Sequence, residues 1–342
     1  MKLYINSVGI ISPSLQASGE WQLPRVDENY LTCIEPDYTQ WIQPQQLRRM
    51  SRIMKMGTTA ALMAVKTGAS KPDAIIAGTA YGCLEDTATF LTKIIELNEE
   101  ALNPTPFMQS THNTIAAQIA LLQNCQGYNQ TYVHGAFSFE HALLDAGMLL
   151  TDTPAQTILT GGVDELTKAG HAIHSRFNKY RKQNTPYLIS PAGDGTWAGE
   201  GAAFFMLSGA NESTVAIADV HTFMASSSEQ AFQQLDNFLK QNQLDTDAID
   251  FLLTGKNGDQ KNDLFYDQLI DVRFSDQAFG AYKHLCGEYS TSTAFATALA
   301  YTILKHQTVP VSVLNGSLNT PIKTLLIYNT YGPHHSLILL TV

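Results

Sequence analysis

The stretch "YKHLCGEYSTSTAF" at 282–295 combines residue types that can do acid–base chemistry. Lys283 and Glu288 flank Gly287, and the segment leads into a helical pattern rich in Ser, Thr and Ala. A carboxylate presented at such a turn is a candidate general base. The alternative is that Glu288 binds Lys283 or a neighbouring backbone amide and carries no chemistry.

A second candidate is a serine nucleophile in "HGAFSFEH" at 134–141, where Ser138 lies between His134 and His141. Hydrolases of this kind need the G-x-S-x-G turn, in which flanking glycines let the nucleophile stand on a sharp bend. Here Ala136 and Phe137 are bulkier than those glycines. Ser138 is therefore better interpreted as a helix N-cap or first-turn residue.

Histidines near the C-terminus are candidate metal ligands, namely His334 and His335 with His306 or His284. Adjacent histidines in a turn rarely point to one site, and no carboxylate or cysteine stands at ligand spacing. The glycines of "GDGTWAGEG" at 193–201 do not follow the G-x-G-x-x-G or Walker order. The sequence therefore predicts neither a metal nor a nucleotide cofactor.

Cysteines and further carboxylates complete the reactive residues. Cys83 follows a predicted strand and opens a helix, which can lower a thiol pKa, but a buried, inert thiol is the favoured interpretation. Cys286 is a further thiol, and Asp164, Glu165 and Glu200 are candidate acid–base groups.

Composition limits the classes of function. The chain has 342 residues, 44% of them hydrophobic, and a formal net charge of -10. Nucleic acids and anionic membranes call for a concentrated basic surface, so neither is an expected partner. The four cysteines have no CxxC spacing, and no apolar run reaches membrane-spanning length or resembles a signal peptide. A cytoplasmic protein with reduced thiols and no membrane span is predicted.

The elements that must position these residues alternate between short apolar, β-branched runs and helical patterns, which is typical of an α/β protein. Predicted strands are 2–10, 73–78, 130–134, 157–163, 202–208, 214–221, 249–254, 324–329 and 336–342, and predicted helices are 44–67, 84–96, 112–122, 137–150, 228–242, 261–270 and 290–305.

The succession of elements begins again after "SGANES" at 208–213, which is the best candidate for a seam. We therefore predict two similar α/β halves, 1–209 and 210–342, joined in one compact unit. The last two strands are connected by "TYGPHH", whose Gly332 and Pro333 favour a turn. This turn is either a plain hairpin connection or a backbone loop at a site.

Six segments, taken in order, resemble motifs of the β-ketoacyl synthases, condensing enzymes of the thiolase fold. That fold is a layered α-β-α-β-α core. The resemblance rests on the order of the motifs along nearly the whole chain. They are "TPFMQSTHNTIAAQIAL" at 105–121, "ILTGGVDEL" at 158–166, "GDGTWAGEGAAFFML" at 193–207, "NGDQKND" at 257–263, "YKHLCGEYSTSTAFATALA" at 282–300 and "YNTYGPHHSLIL" at 328–339.

The catalytic positions that the resemblance implies hold other residues here. Family members that elongate acyl chains use a cysteine at a strand-to-helix elbow and two histidines that assist decarboxylation. Alignment assigns Ala136 to the cysteine, Gly255 to the first histidine and Glu288 to the second. If the gap falls differently, Thr254 or Lys256 takes the first histidine position. A methyl group cannot attack a thioester. For Asp164, Glu165 and Glu200 the resemblance implies structural roles that hold loops together, and for Cys286 it implies packing.

Two further positions bear on the same point. Lys283 of the family motif is retained. Pro333 aligns with the residue whose backbone N–H serves the family as an oxyanion donor, and proline has no N–H. With nucleophile, histidines and donor all replaced, the resemblance implies a subunit without condensing activity.

In the family that the motifs resemble, inactive subunits that pair with an active ketosynthase and complete its acyl tunnel are called chain-length factors. They belong to type II polyketide systems and to aryl polyene or flexirubin-like pigment systems, and "GEY" at 287–289 together with the compact length is most similar to the pigment branch. The resemblance implies a heterodimer that meets acyl carrier protein through its partner. The expected tunnel or interface residues are Phe107, Met108, Thr111 and His112, although Phe107 and Met108 are equally interpreted as core.

Two alternatives remain open from the sequence. One is an acyltransferase or thioester hydrolase that uses Glu288 with Lys283 or Ser138. The other is a homodimer that holds an acyl chain without reacting.

Overall fold

Strands and helices alternate along the chain, and this confirms the predicted α/β class. The fold is given by a computed structural model, which describes residues 2–14, 16–17, 20–24, 30–181, 195–209, 213–318 and 321–342, with the backbone alone at 16, 17 and 20. The strands are β1 Leu3–Ile11, β2 Gln16–Ala17, β3 Glu20–Trp21, β4 Ala74–Gly78, β5 Asn129–Tyr132, β6 Thr157–Asp164, β7 Gly201–Ser208, β8 Ala216–Met224, β9 Phe251–Thr254, β10 Ala278–Ala281, β11 Leu314–Asn315, β12 Thr324–Tyr331 and β13 His334–Thr341.

The helices follow the same alternation. They are α1 Pro44–Leu47, α2 Arg52–Gly68, α3 Leu84–Glu96, α4 Pro104–Gln109, α5 Thr114–Gln123, α6 Ser138–Asp152, α7 Lys168–Arg176, α8 Ser228–Gln241, α9 Gln260–Arg273, α10 Lys283–Cys286 and α11 Ser292–His306, with 3₁₀ turns at Tyr38–Gln40 and Thr246–Ala248. Within the described ranges, none of these helices has the length and apolar character needed to span a bilayer.

Several boundaries differ from the prediction. The helix predicted over 44–67 is interrupted, because the extended backbone of Ser51 starts a new helix after α1. Helices α4 and α7 and strand β10 were not predicted. Both helices carry a capping signal that identifies them, since Asn103 accepts a hydrogen bond from the Thr105 N–H and Thr167 accepts one from the Gly170 N–H.

Hydrogen bonds join eleven strands into one sheet of order β11-β10-β9-β12-β13-β8-β1-β7-β6-β4-β5. In its first half, β5, β4 and β6 are parallel, and β7 and β1 follow antiparallel. In its second half, β10, β9 and β12 are parallel, and β13 and β8 follow antiparallel. Each half therefore has the same strand order and directions.

The halves of the sheet meet through a narrow seam, where β1 pairs with β8 at Leu3–Ile217 and Tyr4–Ala216. The boundary predicted at 209/210 stays a prediction, because residues 210–212 lie outside the described ranges. The same holds for the start of the glycine-rich motif at 193–194.

Three hydrophobic clusters lie between the sheet and the helices that pack on it. Helices α6 and α11 pack between the halves, in a cluster that includes Ile76 and Phe205 of the first half and Leu253 and Ile327 of the second. Helices α2 and α5 cover the outer face of the first half, and α8 and α9 cover that of the second. The parallel strands of both halves end near the buried central helices, where loops can bring reactive side chains together.

Candidate functional site

The elbow between β5 and α6 holds Ala136 and Ser138. Gly135 has a φ of 79°, the left-handed conformation that lets the chain turn sharply into the helix. The Ser138 hydroxyl accepts hydrogen bonds from the His134 and Gly135 N–H groups, both at 3.0 Å, and donates to the Thr79 carbonyl at 2.9 Å. Ser138 is the first residue of α6 and is fully buried, so its hydroxyl holds the elbow in shape.

Two histidines surround this elbow without meeting the serine. The rings of His134 and His141 are 5.0 Å apart, and both contact Phe137. Among the described contacts, neither ring is hydrogen-bonded to Ser138. The serine–histidine arrangement of a hydrolase is therefore not formed here, and the buried methyl group of Ala136 is what the elbow presents.

Glu288 and Lys283 form a buried ion pair. Lys283 Nζ donates to Glu288 Oε1 at 2.9 Å and to Oε2 at 2.8 Å, and the residues are 2% and 3% exposed. Asn257 Nδ2 donates to Glu288 Oε2 at 2.6 Å. The sequence left two roles for Glu288, a general base or a partner of Lys283, and in the structure Glu288 binds Lys283. The partner Asn257 was not foreseen.

The backbone holds this pair in place. Gly287 has a φ of 78° and lies against Gly199, so that a Cβ at 287 would stand 2.5 Å from the Gly199 Cα. The Glu288 N–H donates to the Trp197 carbonyl at 2.8 Å, and the Gly199 N–H donates to the Glu288 carbonyl at 3.1 Å. The glycine-rich segment before β7 thus fixes the direction in which Glu288 points.

Gly255 leaves no room for a side chain. A Cβ there would lie 2.5 Å from Asn329 Oδ1 and 2.6 Å from the Tyr266 hydroxyl. The alternative positions are engaged elsewhere, since Thr254 Oγ1 donates to the Gly280 carbonyl at 2.7 Å and Lys256 pairs with Asp267. No histidine can occupy position 255 unless its neighbours move.

Gly332 and Pro333 form a two-residue hairpin turn between β12 and β13. Gly332 has a φ of 61°, and Pro333 is exposed. The ring of His334 lies 5.1 Å from Phe137, which brings this turn beside the elbow. Lys283 Nζ also donates to the Thr330 carbonyl, near the end of β12, at 3.4 Å.

The histidines considered as metal ligands do not converge. His334 faces the elbow, whereas His335 stacks on Phe223 and bonds the Tyr328 hydroxyl through Nδ1 at 3.1 Å. His284 lies in α10, and His306 is the last residue of α11. Within the described ranges, no group of three or more His, Cys, Asp or Glu side chains has metal-binding geometry.

Asp164 and Glu200 are buried carboxylates that tie loops together. Asp164 accepts bonds from the Ala80 N–H at 2.8 Å and the Thr291 hydroxyl at 2.9 Å, while burial raises the pKa of its carboxyl. Glu200 accepts bonds from the Cys33 N–H at 2.8 Å and from Arg52 at 2.5 and 2.6 Å. The structural roles expected of both residues agree with these contacts.

A small cavity is bordered by Gly199 and by Tyr289, the residue after Glu288. It is lined by tyrosines, among them Tyr81 and Tyr331, and by Glu165, and it measures about 40 Å³. That volume holds a few water molecules and no acyl chain. Burial raises the pKa of the Glu165 carboxyl, in the lining, to about 7. Nearby, Lys179 donates to the Tyr331 hydroxyl, and burial lowers the pKa of the Lys179 amine.

The thiols beside these groups are unreactive. Cys83 and Cys286 are both fully buried. Burial raises the pKa of the Cys83 thiol to about 12 and raises that of Cys286 well above its ordinary value. Because the thiolate is the nucleophile, neither cysteine is activated.

The residues expected to form a tunnel wall or interface lie on a different surface. Phe107 and Met108 on α4 are 57% and 60% exposed, so they are not core. Phe107 packs on Phe90 of α3, with ring centroids 5.1 Å apart. Thr111 and His112 follow in the exposed turn before α5. These four residues lie together, apart from the buried ion pair.

Comparison with solved structures finds the same fold over the whole chain. The ishigamide ketosynthase/chain length factor has a TM-score of 0.79 at 16% identity, covering 100% of this chain and 99% of that one. A β-ketoacyl synthase from Burkholderia phymatum STM815 has a TM-score of 0.81 at 14% identity, covering 99% of each chain. The complex of ketosynthase ApeO with its chain length factor ApeC, from Xenorhabdus doucetiae, gives 0.77 at 16% identity, covering 99% and 98%.

Sequence comparison gives a narrower result. No curated protein matches the chain significantly. The family model described as "Beta-ketoacyl synthase, N-terminal domain" matches residues 21–256, which is more than half of the chain. The thiolase-like fold predicted from the motifs is therefore confirmed, and the chain belongs to the β-ketoacyl synthase family.

Proposed function

We propose that this protein is a chain-length factor, a ketosynthase-like subunit without condensing activity that pairs with an active β-ketoacyl synthase. It meets acyl carrier protein through that partner, in cytoplasmic polyketide or aryl polyene-type synthesis. The observation that carries the proposal is the buried pair of Glu288 and Lys283, whose charged atoms bond each other and Asn257.

A carboxylate at this place opposes condensation. Decarboxylation of a malonyl thioester develops negative charge, which a neighbouring donor stabilises and a carboxylate destabilises. Glu288 has no position from which to act as a base either, because Lys283 and Asn257 occupy its oxygens. The site therefore has the shape of a reactive centre without the charge that the reaction needs.

The other family positions support the same conclusion. Ala136 offers a methyl group at the elbow, and Gly255 has no space for a histidine. Pro333 supplies no N–H at the last turn. The small tyrosine-lined cavity, at about 40 Å³, is too small for an acyl chain.

A free edge of the sheet supports pairing with another chain. Among the described strands, β5 ends the sheet and pairs only with β4, so no described strand pairs with the backbone groups on its other side. Tyr128 and Val133, at the two ends of this strand, are each 45% exposed. The flanking helices add Leu121, 76% exposed, and Met148, 61% exposed. An open strand edge bordered by apolar side chains is a surface suited to association.

The solved structures are consistent with a synthase as the occupant of this surface. One is a ketosynthase/chain length factor, and another is ketosynthase ApeO in complex with its chain length factor ApeC. Phe107 and Met108 on α4 give this chain a second exposed apolar area, and we assign them to the wall of the partner's tunnel.

The protein is expected to remain unmodified when mixed with malonyl-loaded or acyl-loaded carrier protein, because it has no nucleophile at position 136. Intact-protein mass spectrometry measures any covalent acyl adduct, and release of CO₂ measures decarboxylation. An active synthase treated in the same way is the positive control. A stoichiometric adduct on this chain would overturn the proposal.

Leu121→Glu is expected to weaken association with the partner synthase by about tenfold or more, because it brings a charge into an apolar contact. The measurement is the dissociation constant after co-expression with a ketosynthase encoded beside this protein. Leu264→Glu is the matched control, since Leu264 is a helical leucine that is 56% exposed on α9. Equal effects of both variants would exclude β5 and its flanking helices as the interface.

The remaining alternatives give different results in the same experiments. A homodimeric acyl-binding protein would co-purify with an intact acyl ligand and without a synthase. A thioester hydrolase would release free acid at a rate that falls in Glu288→Gln. The engaged hydroxyl of Ser138 leaves that residue no role in such a reaction.

A further inference from the structure

Helices α3 and α4 lie outside the hydrophobic core, and every residue of both is at least partly exposed. Within the part of the chain that the structure describes, no hydrophobic side chain from 84 to 114 belongs to the three clusters or is packed against one. Cys83 and Ile115, at the two ends of this stretch, both belong to the cluster on the outer face of the first half. The chain therefore leaves the core after Cys83 and returns to it at Ile115.

The two helices are packed chiefly on each other. The rings of Phe90 on α3 and Phe107 on α4 have centroids 5.1 Å apart. In the loop that joins the helices, the Glu99 N–H donates back to the Ile94 carbonyl at 2.9 Å. Residues 84–109 therefore form a local unit, which we call the flap.

Polar contacts tie the flap to distant parts of the chain. Near its start, the Glu85 N–H donates to Glu165 Oε1 at 3.1 Å. At its end, Gln109 Nε2 donates to the Arg49 carbonyl. Both bonds are exposed, so water replaces them when they break, and each contributes little net stability. The flap is therefore expected to open at a much lower free energy than the core.

Helix α11 is the opposite case within the same chain. Every residue from Ser292 to Leu304 is buried, so the hydrogen bonds of α11 open only with the core. An isolated helix shorter than about 12–15 residues is marginal in water, and α3 has 13 residues. Once α3 separates from the rest of the chain, its helix is therefore expected to unfold and its amides to exchange with solvent.

We infer that the flap unfolds locally in the isolated chain and that the partner synthase closes it. The second step rests on the proposed chain-length-factor role, whereas the first does not. Leu91 and Ile95 of α3 are exposed, as are Phe107 and Met108 of α4, and exposed apolar groups of this kind mark a surface for association. The flap leads directly into α5, which carries Leu121 of the proposed synthase contact. The same partner is therefore assigned to both surfaces, and the tunnel wall is completed only on assembly.

Hydrogen–deuterium exchange of the full-length protein, measured by mass spectrometry, tests the first step. The α3 amides are expected to exchange at least about a hundredfold faster than those of α11, after correction for intrinsic rates. Gln109→Ala, which removes the bond to Arg49, is expected to raise the exchange of both α3 and α4 by about fivefold. Gln230→Ala is the matched control, because Gln230 is an exposed glutamine that bonds Ser226 beside α8. Exchange of α3 as slow as that of α11, or an effect of Gln109→Ala confined to α4, would overturn the flap.

The second step is tested by the same measurement on the complex with a ketosynthase encoded beside this protein. Exchange of α3 is expected to slow by about tenfold or more, while that of α8 in the second half stays as in the isolated chain. Unchanged exchange of α3 in a stable complex would overturn closure by the partner and leave the chain-length-factor role intact. Failure to form any complex would overturn that role and the closing step with it, and the exchange of the isolated protein would still decide whether the flap opens.

Discussion

Glu288→Gln is expected to lower the free energy of unfolding by about 3–5 kcal/mol, which is the cost of leaving one charge of a buried pair uncompensated. The side chains of Lys283 and Glu288 are 1% and 4% exposed, so water cannot solvate the lysine that remains. Besides Glu288, the Lys283 amine has a contact at 3.4 Å with the Thr330 carbonyl. The measurement is the urea midpoint and slope of the purified protein.

A double variant of the ion pair separates the effect of charge on stability from the effect of packing. The double variant Lys283→Met/Glu288→Gln has no unpaired buried charge, so most of the stability that Glu288→Gln loses is expected to return. An exposed pair within the same chain is the control. Arg273 bonds Asp236 at 3.0 and 3.1 Å with side chains 32% and 46% exposed, so Asp236→Asn is expected to cost under about 1 kcal/mol.

If Glu288→Gln and Asp236→Asn lower the free energy of unfolding by similarly small amounts, the Lys283–Glu288 pair is not a buried, ionised pair. The outcome also bears on function. Under the proposed chain-length-factor role, the pair would preserve the shape of the site where the family has its catalytic residues. The partner synthase would then depend on that shape rather than on the charge itself.

The sequence predicted the elements that carry a regular pattern. The long buried strands, the hairpin at Gly332 and Pro333, and the bond between Lys283 and Glu288 are all present. These depend on local periodicity, on turn residues or on neighbours in the chain. Strand β10 was missed because four residues with a glycine carry too little pattern to distinguish a strand from a loop.

Long-range contacts were beyond the same reasoning. Asn257 reaches Glu288 from a loop thirty-one positions away, and no spacing rule connects the two. Phe107 and Met108 have core-like residue types, yet they are exposed on a short capped helix. Their exposure depends on which face of α4 the rest of the chain covers.

A buried glutamate in α6 was also beyond prediction, because a glutamate in a first helical turn is ordinarily a solvent-exposed partner of the helix dipole. Glu140 is 0% exposed, and neither carboxylate oxygen has a hydrogen-bond partner among the described residues. Burial raises its pKa from 4.5 to about 7, although the nearby Ser336 and Thr293 hydroxyls and the charge of Lys283 act in the opposite direction.

Glu140→Gln is therefore expected to stabilise the protein at pH 8 by about 3 kcal/mol and at pH 5 by less than about 1 kcal/mol. Between pH 4.5 and 7 the unfolded carboxyl has lost its proton and the folded one keeps it, so stability falls as pH rises through this window. The neutral amide removes that loss. Part of the pH dependence should remain, because Glu165 has a pKa raised to about 7 as well.

The measurement is the free energy of unfolding of each variant in urea at several values between pH 5 and 8. Glu96→Gln, at an exposed position on α3, is the control and is expected to leave both the stability and its pH dependence as in the unmodified protein. A Glu140→Gln protein that is less stable at pH 8 than the unmodified one would mean that the buried carboxylate is ionised and bonded. In that case the charge of Lys283 would be shared between Glu140 and Glu288, and the loss in Glu288→Gln would be correspondingly smaller.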